Sequence, residues 1–284
     1  MIWQTTRFRL ELDPPLVMGV VNVTPDSFFD GGAFFKGGSV ESSALSHCEK
    51  LLRQGANILD IGGESSRPGA VALPLDEELA RVLPVVRGAL GFGVPISVDS
   101  YKPQVMRAVL ELGADIINDI WALRQPGALN CFAAFPTAGV CLMHMHGEPQ
   151  TMQAKPMNES ETDDVVALVR AFLRQRVEAV RQQGIAAERV VLDPGIGFGK
   201  TPEQNFKLLA RQRELLDLGL PLLAAWSRKS SLGHATGLPV QERMVPSVAA
   251  ALLALERGAR ILRVHDVAET VQALQVWRAM SAAN

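Results

Sequence analysis

Several polar side chains in this sequence stand where short apolar runs, typical of buried strands, come to an end. Asp193 is the clearest example, because residues 190–192 are apolar and a glycine-rich turn follows at residues 195–199. The other polar residues at such points are Asn22, Asp60, Asp99, Asn118, His144, His146, Lys229, Arg263 and His265. Carboxylates accept paired N–H groups, whereas amides both donate and accept hydrogen bonds. If they converge, these groups predict a cavity for a planar, polar heterocycle.

Some of these residues also predict an anion pocket. Arg263 and His265 are two positions apart on one predicted strand, so their side chains point to the same face. Together with Asn22 and Arg67 they can bind phosphate or diphosphate, because arginine binds phosphate oxygens in pairs and histidine adds a hydrogen bond. Residues 227–233 add cations, hydroxyls and backbone N–H groups that suit an anion. The alternative is that these cations are ordinary surface charges.

Three other kinds of site are disfavoured by the residue spacing. A Walker A loop requires a glycine where Pro194 stands, five residues before Gly199. His144 and His146 lack a third nitrogen or sulfur ligand at a spacing suited to zinc, so we expect core or rim histidines. Mg²⁺, held by oxygen ligands and by the phosphates of the substrate, is preferred. Since the serines have no evident base partner and no nucleophile elbow is present, covalent nucleophilic catalysis is not expected.

Eight apolar runs of strand length alternate with segments of helical periodicity. The predicted strands are 16–23, 56–61, 95–98, 115–120, 139–145, 189–192, 221–225 and 259–264. The predicted helices include 39–54, 76–90, 104–112, 161–183, 205–218, 245–256 and 267–280. This alternation favours an α/β fold, a single (β/α)8 TIM barrel domain over residues 1–284, with an open doubly wound sheet as the alternative.

Two connections are longer than barrel closure requires. They cover residues 22–38, after the first strand, and 62–74, after the second. Both are rich in glycine and would lie at the catalytic face, so we predict long mobile loops that order around a substrate. The alternative is two surface turns with no role.

Composition and charge exclude several classes of partner. Of 284 residues, 48% are hydrophobic and 20% charged, which is typical of a globular protein, and a net charge of −2 without basic runs argues against nucleic acid. No apolar stretch reaches the roughly 18 residues of a membrane span. Charged residues at positions 7, 9, 11 and 13 argue against a signal peptide. Three cysteines without metal spacing suit a reducing compartment, so we expect a cytoplasmic protein.

Seven segments, in order along the chain, closely resemble dihydropteroate synthase. They are residues 18–28 (MGVVNVTPDSF), 60–69 (DIGGESSRPG), 97–100 (SVDS), 117–119 (IND), 193–200 (DPGIGFGK), 227–230 (SRKS) and 263–265 (RVH). The resemblance implies a barrel enzyme of folate synthesis that joins 6-hydroxymethyl-7,8-dihydropterin diphosphate to 4-aminobenzoate and releases diphosphate.

The resemblance also implies roles for individual residues and Mg²⁺ as cofactor. Those implied to bind the pterin are Asp99, Asn118, Asp193 and Lys229. Those implied near diphosphate are Asn22, Arg67, Arg263 and His265, with Asn22 also a ligand of Mg²⁺. Those implied near 4-aminobenzoate are Phe28, Ser66, Pro68, Phe198 and Ser230. Those implied to take part in catalysis are Asp26, Arg67 and Lys229.

The implied chemistry needs no nucleophile from the protein. Departure of diphosphate, once its charge is neutralised, leaves a methylene cation delocalised into the pterin ring. The arylamine then attacks that cation, so catalysis consists mainly of positioning and charge stabilisation. Asp26 would stabilise the positive centre, and closure of both loops would exclude water.

Three positions depart from the pattern usual in that family. Ser66 stands where threonine is common, which predicts looser contact with 4-aminobenzoate and with sulfonamide competitors. Trp226, preceded by Ala225, either points away from the pterin pocket or narrows it. Phe29 replaces a frequent serine and would enlarge the apolar surface of the first loop.

The sequence leaves two other functions and the oligomeric state open. A pterin-dependent methyltransferase of the same superfamily would share acids like Asp99 and Asp193, but would not need the diphosphate residues Arg263 and His265. A non-catalytic paralogue that binds pterin is the second alternative. The apolar stretches 248–255 and 271–277 are either ordinary barrel helices or part of a homodimer interface, as the family resemblance implies.

Overall fold

The computed structural model describes residues 1–24, 39–65, 69–148, 152, 156–157 and 164–283. Several sequence predictions therefore lie outside the described residues. They concern the greater part of the first long connection and the middle of the second, including Asp26, Phe28, Phe29, Ser66, Arg67 and Pro68.

The chain begins with a short antiparallel hairpin and then forms a closed barrel of eight parallel strands. The hairpin consists of β1 (Ile2–Gln4) and β2 (Arg9–Glu11). The barrel strands are β3 (Leu16–Asn22), β4 (Ile58–Gly62), β5 (Ile96–Asp99), β6 (Ile116–Asp119), β7 (Gly139–Met143), β8 (Val190–Asp193), β9 (Leu222–Ala224) and β10 (Ala259–Val264). Because β10 pairs with β3, the sheet closes. The predicted (β/α)8 barrel is confirmed, and the open sheet is excluded.

Helices surround the barrel. They are α1 (Val40–Arg53), α2 (Leu75–Ala89), α3 (Pro103–Leu112), α4 (Ala128–Ala133), α5 (Val165–Gln182), α6 (Pro202–Ala210), α7 (Ser230–Thr236), α8 (Met244–Glu256) and α9 (Val267–Ser281). Local sequence sets several starts; at α6, for example, Thr201 and Gln204 form a capping box and Pro202 occupies the first turn. In the described part of the chain, no helix combines the length and apolar character that crossing a membrane requires.

The core has two main parts, and a third, small cluster consists of Ile120, Met143, Met145, Met152 and Phe198. The larger part lies between the barrel and the helices, where both faces of the sheet must be covered. The smaller fills the barrel interior with inward side chains such as Met18 and Ile58, and the hairpin adds Trp3 and Leu12. Trp3 is fully buried and its indole N–H donates to the carbonyl oxygen of Arg189 at 3.1 Å. The hairpin therefore closes the barrel at the end opposite the predicted site.

An ion pair attaches this hairpin to the barrel. Nη2 of Arg7 lies 2.6 Å from Oδ2 of Asp115, a residue whose side chain is fully buried. Asp115 also accepts a hydrogen bond from the backbone N–H of Ile96, at the start of β5. Because the same carboxylate binds the hairpin and a barrel strand, it fixes the position of one against the other.

The structure differs from the predictions mainly in short elements. The hairpin and the helices α4 and α7 were not predicted, since none exceeds seven residues. The predicted helix 205–218 is in fact α6 followed by a 3₁₀ helix at Gln212–Leu218. The predicted strand 139–145 ends at Met143, and the carbonyl groups of His144 and His146 beyond it lie against Gly195 and Gly199 in the turn after β8.

Candidate active site

Inward-facing residues near the carboxyl ends of the strands converge at one mouth of the barrel. Asp60 and Asn118 lie on β4 and β6, on either side of β5. The strand register places Asp99 beside Gly62 on one side and beside Asn118 on the other. In a (β/α)8 barrel this end of the strands is the one that carries active sites.

Arg263 joins the acids of this mouth into one network. Its Nε donates to Oδ2 of Asp60 at 2.6 Å, and its Nη2 donates to Oδ2 of Asp99 at 2.7 Å. The amide of Asn118 donates to the same Asp60 oxygen at 3.1 Å. The structure therefore brings Arg263, predicted near diphosphate, together with Asp99 and Asn118, which are predicted to bind the pterin. Asp60 holds both of its neighbours in place.

Burial changes the proton affinities of these acids. It raises the pKa of Asp99 to about 7, against the opposing attraction of Arg263 and with further repulsion from Asp60 and other carboxylates. Burial also raises the pKa of Asp193, although the backbone N–H of Gly195, at 2.7 Å, and Lys229 oppose the shift. Near neutral pH the Asp99 carboxyl group can therefore either accept or donate a hydrogen bond.

The glycine-rich turn after β8 has a backbone that few side chains tolerate. Gly195 has φ of +70°, and a Cβ atom there would lie 1.8 Å from the carbonyl oxygen of His144. At Gly197, with φ of +82°, a Cβ would lie 3.1 Å from Cδ of Lys229. The glycines therefore let the turn pack against the β7 end and leave room for the Lys229 side chain across it.

Lys229 lies against this turn. Its Nζ is 4.3 Å from the centroid of the Phe198 ring, a cation–π distance. Burial lowers the pKa of Lys229 to about 8, with Asp193 opposing the shift. Arg228 is engaged elsewhere, because its Nη2 binds Oδ1 of Asp266 at 2.5 Å. Of this neighbouring pair, Lys229 is therefore the cation that faces the site.

Lys200 has a structural position within the same turn. It is 1% exposed and its ammonium donates to the carbonyl oxygens of Gly195 at 2.8 Å and Phe198 at 3.2 Å. Burial lowers its pKa to about 7. Because its donors bind the backbone of the turn, Lys200 stabilises that turn.

Three of the four residues predicted near diphosphate lie on β3, on its neighbour β10 or directly after β10, whereas Arg67 lies outside the described residues. Met18 pairs with Arg263, so alternation along β3 places Asn22 on the same face as Arg263. His265 follows β10 directly, and its Nδ1 lies 2.9 Å from Oγ of Ser227. Asn22, Arg263 and His265 therefore share one side of the mouth, and Ser230 lies at the start of α7 beyond it.

His144 and His146 are not arranged as metal ligands in the described part of the chain, where no group of three or more His, Cys, Asp or Glu could hold an ion. His144 is buried, and its ring packs edge-on against Phe172 at 4.9 Å. Burial, with repulsion from Lys200, lowers its pKa well below the usual value. Of the two positions predicted for it, core or rim, His144 takes the core.

Comparison with known proteins agrees with this geometry. The family model for "Pterin binding enzyme" matches residues 18–265. The chain belongs to the pterin-binding enzyme family. It is 47% identical over 284 residues to the dihydropteroate synthase of Neisseria meningitidis serogroup B, covering 98% of this chain and 97% of that one.

Solved structures of pterin-binding relatives are also similar. Dihydropteroate synthase of Xanthomonas albilineans with 4-aminobenzoic acid matches with a TM-score of 0.88 and 50% identity, covering 96% of each chain. That of Burkholderia cenocepacia complexed with 7,8-dihydropteroate matches with a TM-score of 0.87 and 49% identity, covering 99% of this chain and 97% of the other.

Trp226 points away from the predicted pterin pocket. It is 1% exposed and its ring packs on Phe206 of α6, with centroids 5.5 Å apart, in the core between barrel and helices. Its neighbour Ala225 belongs to the core inside the barrel. Of the two orientations left open by the sequence, the one that narrows the pocket is therefore excluded.

The sequence did not reveal the contacts of two groups near the predicted pterin pocket. Asp60 stood out as a strand-end acid, but its contacts with Arg263 and Asn118 could not be read from the chain. Glu64 and Lys102, which bind each other beside the mouth, were missed as a pair. The only available signal for Glu64 was its position within the segment 60–69.

Proposed function

We propose that this protein catalyses the dihydropteroate synthase reaction, a transfer that joins 6-hydroxymethyl-7,8-dihydropterin diphosphate to 4-aminobenzoate and releases diphosphate. One observation carries the proposal: acids, an amide and cations converge at the barrel mouth of a chain that matches dihydropteroate synthases over nearly its full length. The solved relatives contain 4-aminobenzoic acid in one case and 7,8-dihydropteroate in the other. These ligands correspond to the second substrate and the product of the proposed reaction.

The pterin ring would lie among Asp99, Asn118, Asp193 and Lys229. Carboxylates match the adjacent N–H groups of its amino-pyrimidinone edge, and the ammonium of Lys229 suits the ring carbonyl. Oδ1 of Asp60 is buried and has no hydrogen-bond partner among the described residues, so it can also accept an N–H from the ring. A flat heterocycle would thus find donors and acceptors on several sides.

The diphosphate would lie toward Asn22, Arg263 and His265. Arg263 would stabilise the negative charge that grows on the leaving oxygen as the bond to the methylene breaks, and Asn22 and His265 would add hydrogen bonds. Arg67, in the second long connection, is proposed to add a further cation. Because Asp60 and Asp99 outweigh the effect of burial, the pKa of Arg263 lies above its usual value, and this guanidinium stays charged at every working pH.

Mg²⁺ fits the chemistry of this side of the mouth. Asn22 supplies an amide oxygen, a ligand type that Mg²⁺ prefers, at the end of β3. Since the described residues provide no cluster of acids and histidines for a metal, phosphate oxygens of the substrate and water would supply the other ligands, as is usual for this ion. When bound, the ion would neutralise charge on the leaving diphosphate.

The second substrate would approach from the side of Phe198 and Ser230. Phe198 is almost buried and lies against Lys229, so its ring can form an apolar wall for the arylamine. Phe28, Ser66 and Pro68 are proposed to complete that wall, and Asp26 to stabilise the pterin cation. The arylamine nitrogen itself forms the new bond, so the protein has only to position it.

We also propose a homodimer that joins the outer faces of α8 and α9. Four large apolar side chains are exposed there, Val245 by 67%, Leu253 by 46%, Val276 by 72% and Met280 by 51%. The two helices pack against each other, and exposed apolar groups on neighbouring helices often mark a protein interface. Light scattering should give a mass near twice 30.7 kDa. A Leu253→Lys variant should give the mass of one chain, and a wild-type protein with that lower mass would contradict the proposal.

All three cysteines are free, buried thiols. Thiols without disulfides are usual in a reducing compartment, and this supports the proposed cytoplasmic location.

Activity can be tested by incubating the purified protein with the pterin diphosphate, 4-aminobenzoate and Mg²⁺. We expect 7,8-dihydropteroate in the mass spectrum and diphosphate release that depends on the arylamine. An absence of dihydropteroate at micromolar enzyme would overturn the proposal. Formation of a methylated product from a methyl donor would instead support the methyltransferase alternative.

A further inference from the structure

A single lysine holds both ends of the connection between β4 and α2. Nζ of Lys102 donates to Oε2 of Glu64 at 2.5 Å, near the start of the connection, and to the carbonyl oxygen of Leu73 at 2.6 Å, near its end. A third bond reaches Oε2 of Glu78, in the first turn of α2, at 2.6 Å. These three acceptors match the three protons of the ammonium.

Lys102 and its two carboxylate partners are largely buried, so water has little access to replace the contacts between them. The side chains of Lys102, Glu64 and Glu78 are exposed by 16%, 10% and 1%. Burial alone would lower the pKa of Lys102, but hydrogen bonds to both carboxylates outweigh it and raise the pKa above its usual value. The lysine is therefore cationic at neutral pH. Without it, two carboxylates would face each other with little water between them and would repel.

The residues just before Lys102 complete the same arrangement. The hydroxyl of Tyr101 donates to Oε1 of Glu64 at 2.9 Å, and that of Ser100 donates to Oε1 of Glu78 at 2.7 Å. All four oxygens of the two carboxylates are thus bound by residues 100–102. This tripeptide directly follows Asp99, the acid at the end of β5. The end of the pterin-site strand and the second connection therefore form one unit.

We infer that Lys102 is a positioning residue for the second substrate, because it fixes the β4–α2 connection against the strand end that carries Asp99. The inference rests on the proposed synthase function. The connection carries Ser66 and Pro68, which the family resemblance places near 4-aminobenzoate. Tying both ends of a short segment limits the positions open to the residues between them. Lys102 thereby sets where the arylamine lies relative to the pterin, without contacting either substrate.

The test compares Lys102→Met with Lys207→Met. Lys207 is exposed on α6, so the control makes the same change of charge away from the mouth. At saturating pterin diphosphate, Lys102→Met should raise the KM for 4-aminobenzoate by about tenfold or more, a size typical of losing a charged hydrogen bond. The Kd of 6-hydroxymethylpterin, which lacks diphosphate, should stay within about twofold, because Asp99 and its partners are retained. Lys102→Arg should recover most of the lost affinity.

Hydrogen exchange gives a second measurement. Amides of residues 64–74 should exchange faster in Lys102→Met than in Lys207→Met, while amides of β5 and β6 keep their protection. If Lys102→Met does not fold, Tyr101→Phe removes only the phenol contact with Glu64 and should raise the same KM by a smaller factor.

The outcomes separate the two proposals. An unchanged KM for 4-aminobenzoate, or an equal loss of affinity for the pterin, would overturn the positioning role while the wild-type enzyme still makes dihydropteroate. If the wild-type enzyme makes none, the proposed function fails instead.

Discussion

Replacing Asp60 by Asn should weaken both the fold and the pterin site. Asp60 is fully buried and accepts hydrogen bonds from Arg263 at 2.6 Å and from Asn118 at 3.1 Å. The substitution keeps the shape of the side chain and removes its charge. Arg263 would then be left with Asp99 as its one carboxylate partner among the described residues.

The size of the effect follows from burial of this ion pair. Removing one partner of a buried pair costs about 3 to 5 kcal/mol, and the lower value applies because Asn retains an acceptor oxygen. For a domain of this size, about 3 kcal/mol lowers the melting temperature by roughly 6 to 12 °C. The lost orientation of Asn118 should also weaken binding of 6-hydroxymethylpterin by about fivefold, the effect of one ordinary hydrogen bond.

Calorimetry of unfolding and of pterin binding would measure both effects, with Glu111→Gln as the matched control. Glu111 lies 4.0 Å from Arg107 in a pair whose side chains are 60% and 56% exposed, so its loss should cost less than about 1 kcal/mol. If Asp60→Asn melts within about 2 °C of the control and binds pterin normally, the argument that Asp60 organises the mouth is wrong.

Three further predictions concern the turn after β8, the pH profile and the closed end of the barrel. Gly195→Ala should prevent the native turn and give little soluble protein, because its Cβ would overlap the carbonyl oxygen of His144. The control Gly184→Ala is also at positive φ but has open space around it, so it should lower the free energy of unfolding in urea by only about 1 kcal/mol. Turnover at low pterin diphosphate should fall as pH rises through about 8, where Lys229 loses its proton. A Lys229→Arg variant should keep its activity to higher pH, and a variant with the same pH profile as the wild type would contradict this role of Lys229. Trp3→Ala should destabilise the protein by about 3 to 5 kcal/mol, because Trp3 is fully buried. The kcat of the folded variant should stay within twofold of the wild-type value, since Trp3 lies opposite the mouth. A large loss of kcat in the fully folded variant would contradict this position.

The barrel could be predicted because its strands are buried on both faces and therefore appear as apolar runs. The N-terminal hairpin could not, because its strands have three residues each and its attachment depends on Asp115, 108 residues from Arg7. Short elements such as these are specified by tertiary contacts, which a local pattern does not contain.

The site could be predicted in part. Alternation along strands correctly brought Asp99, Asn118 and Arg263 to one mouth, because parallel strands end on the same side. The role of Asp60 depends on an arginine 203 residues away, and the contact of Lys102 with Glu64 spans 38 residues. Such partners are recognisable from the sequence only by family resemblance, and they become evident once the barrel closes.

The most direct test of the proposed function is the ratio of products in one reaction mixture. Wild-type protein given pterin diphosphate, 4-aminobenzoate and Mg²⁺ should form dihydropteroate and diphosphate in equal amounts, and Asp193→Asn, which removes a charge from the pterin site, should form both far more slowly. Diphosphate release without dihydropteroate, or equal rates with the Asp193→Asn variant, would contradict the account.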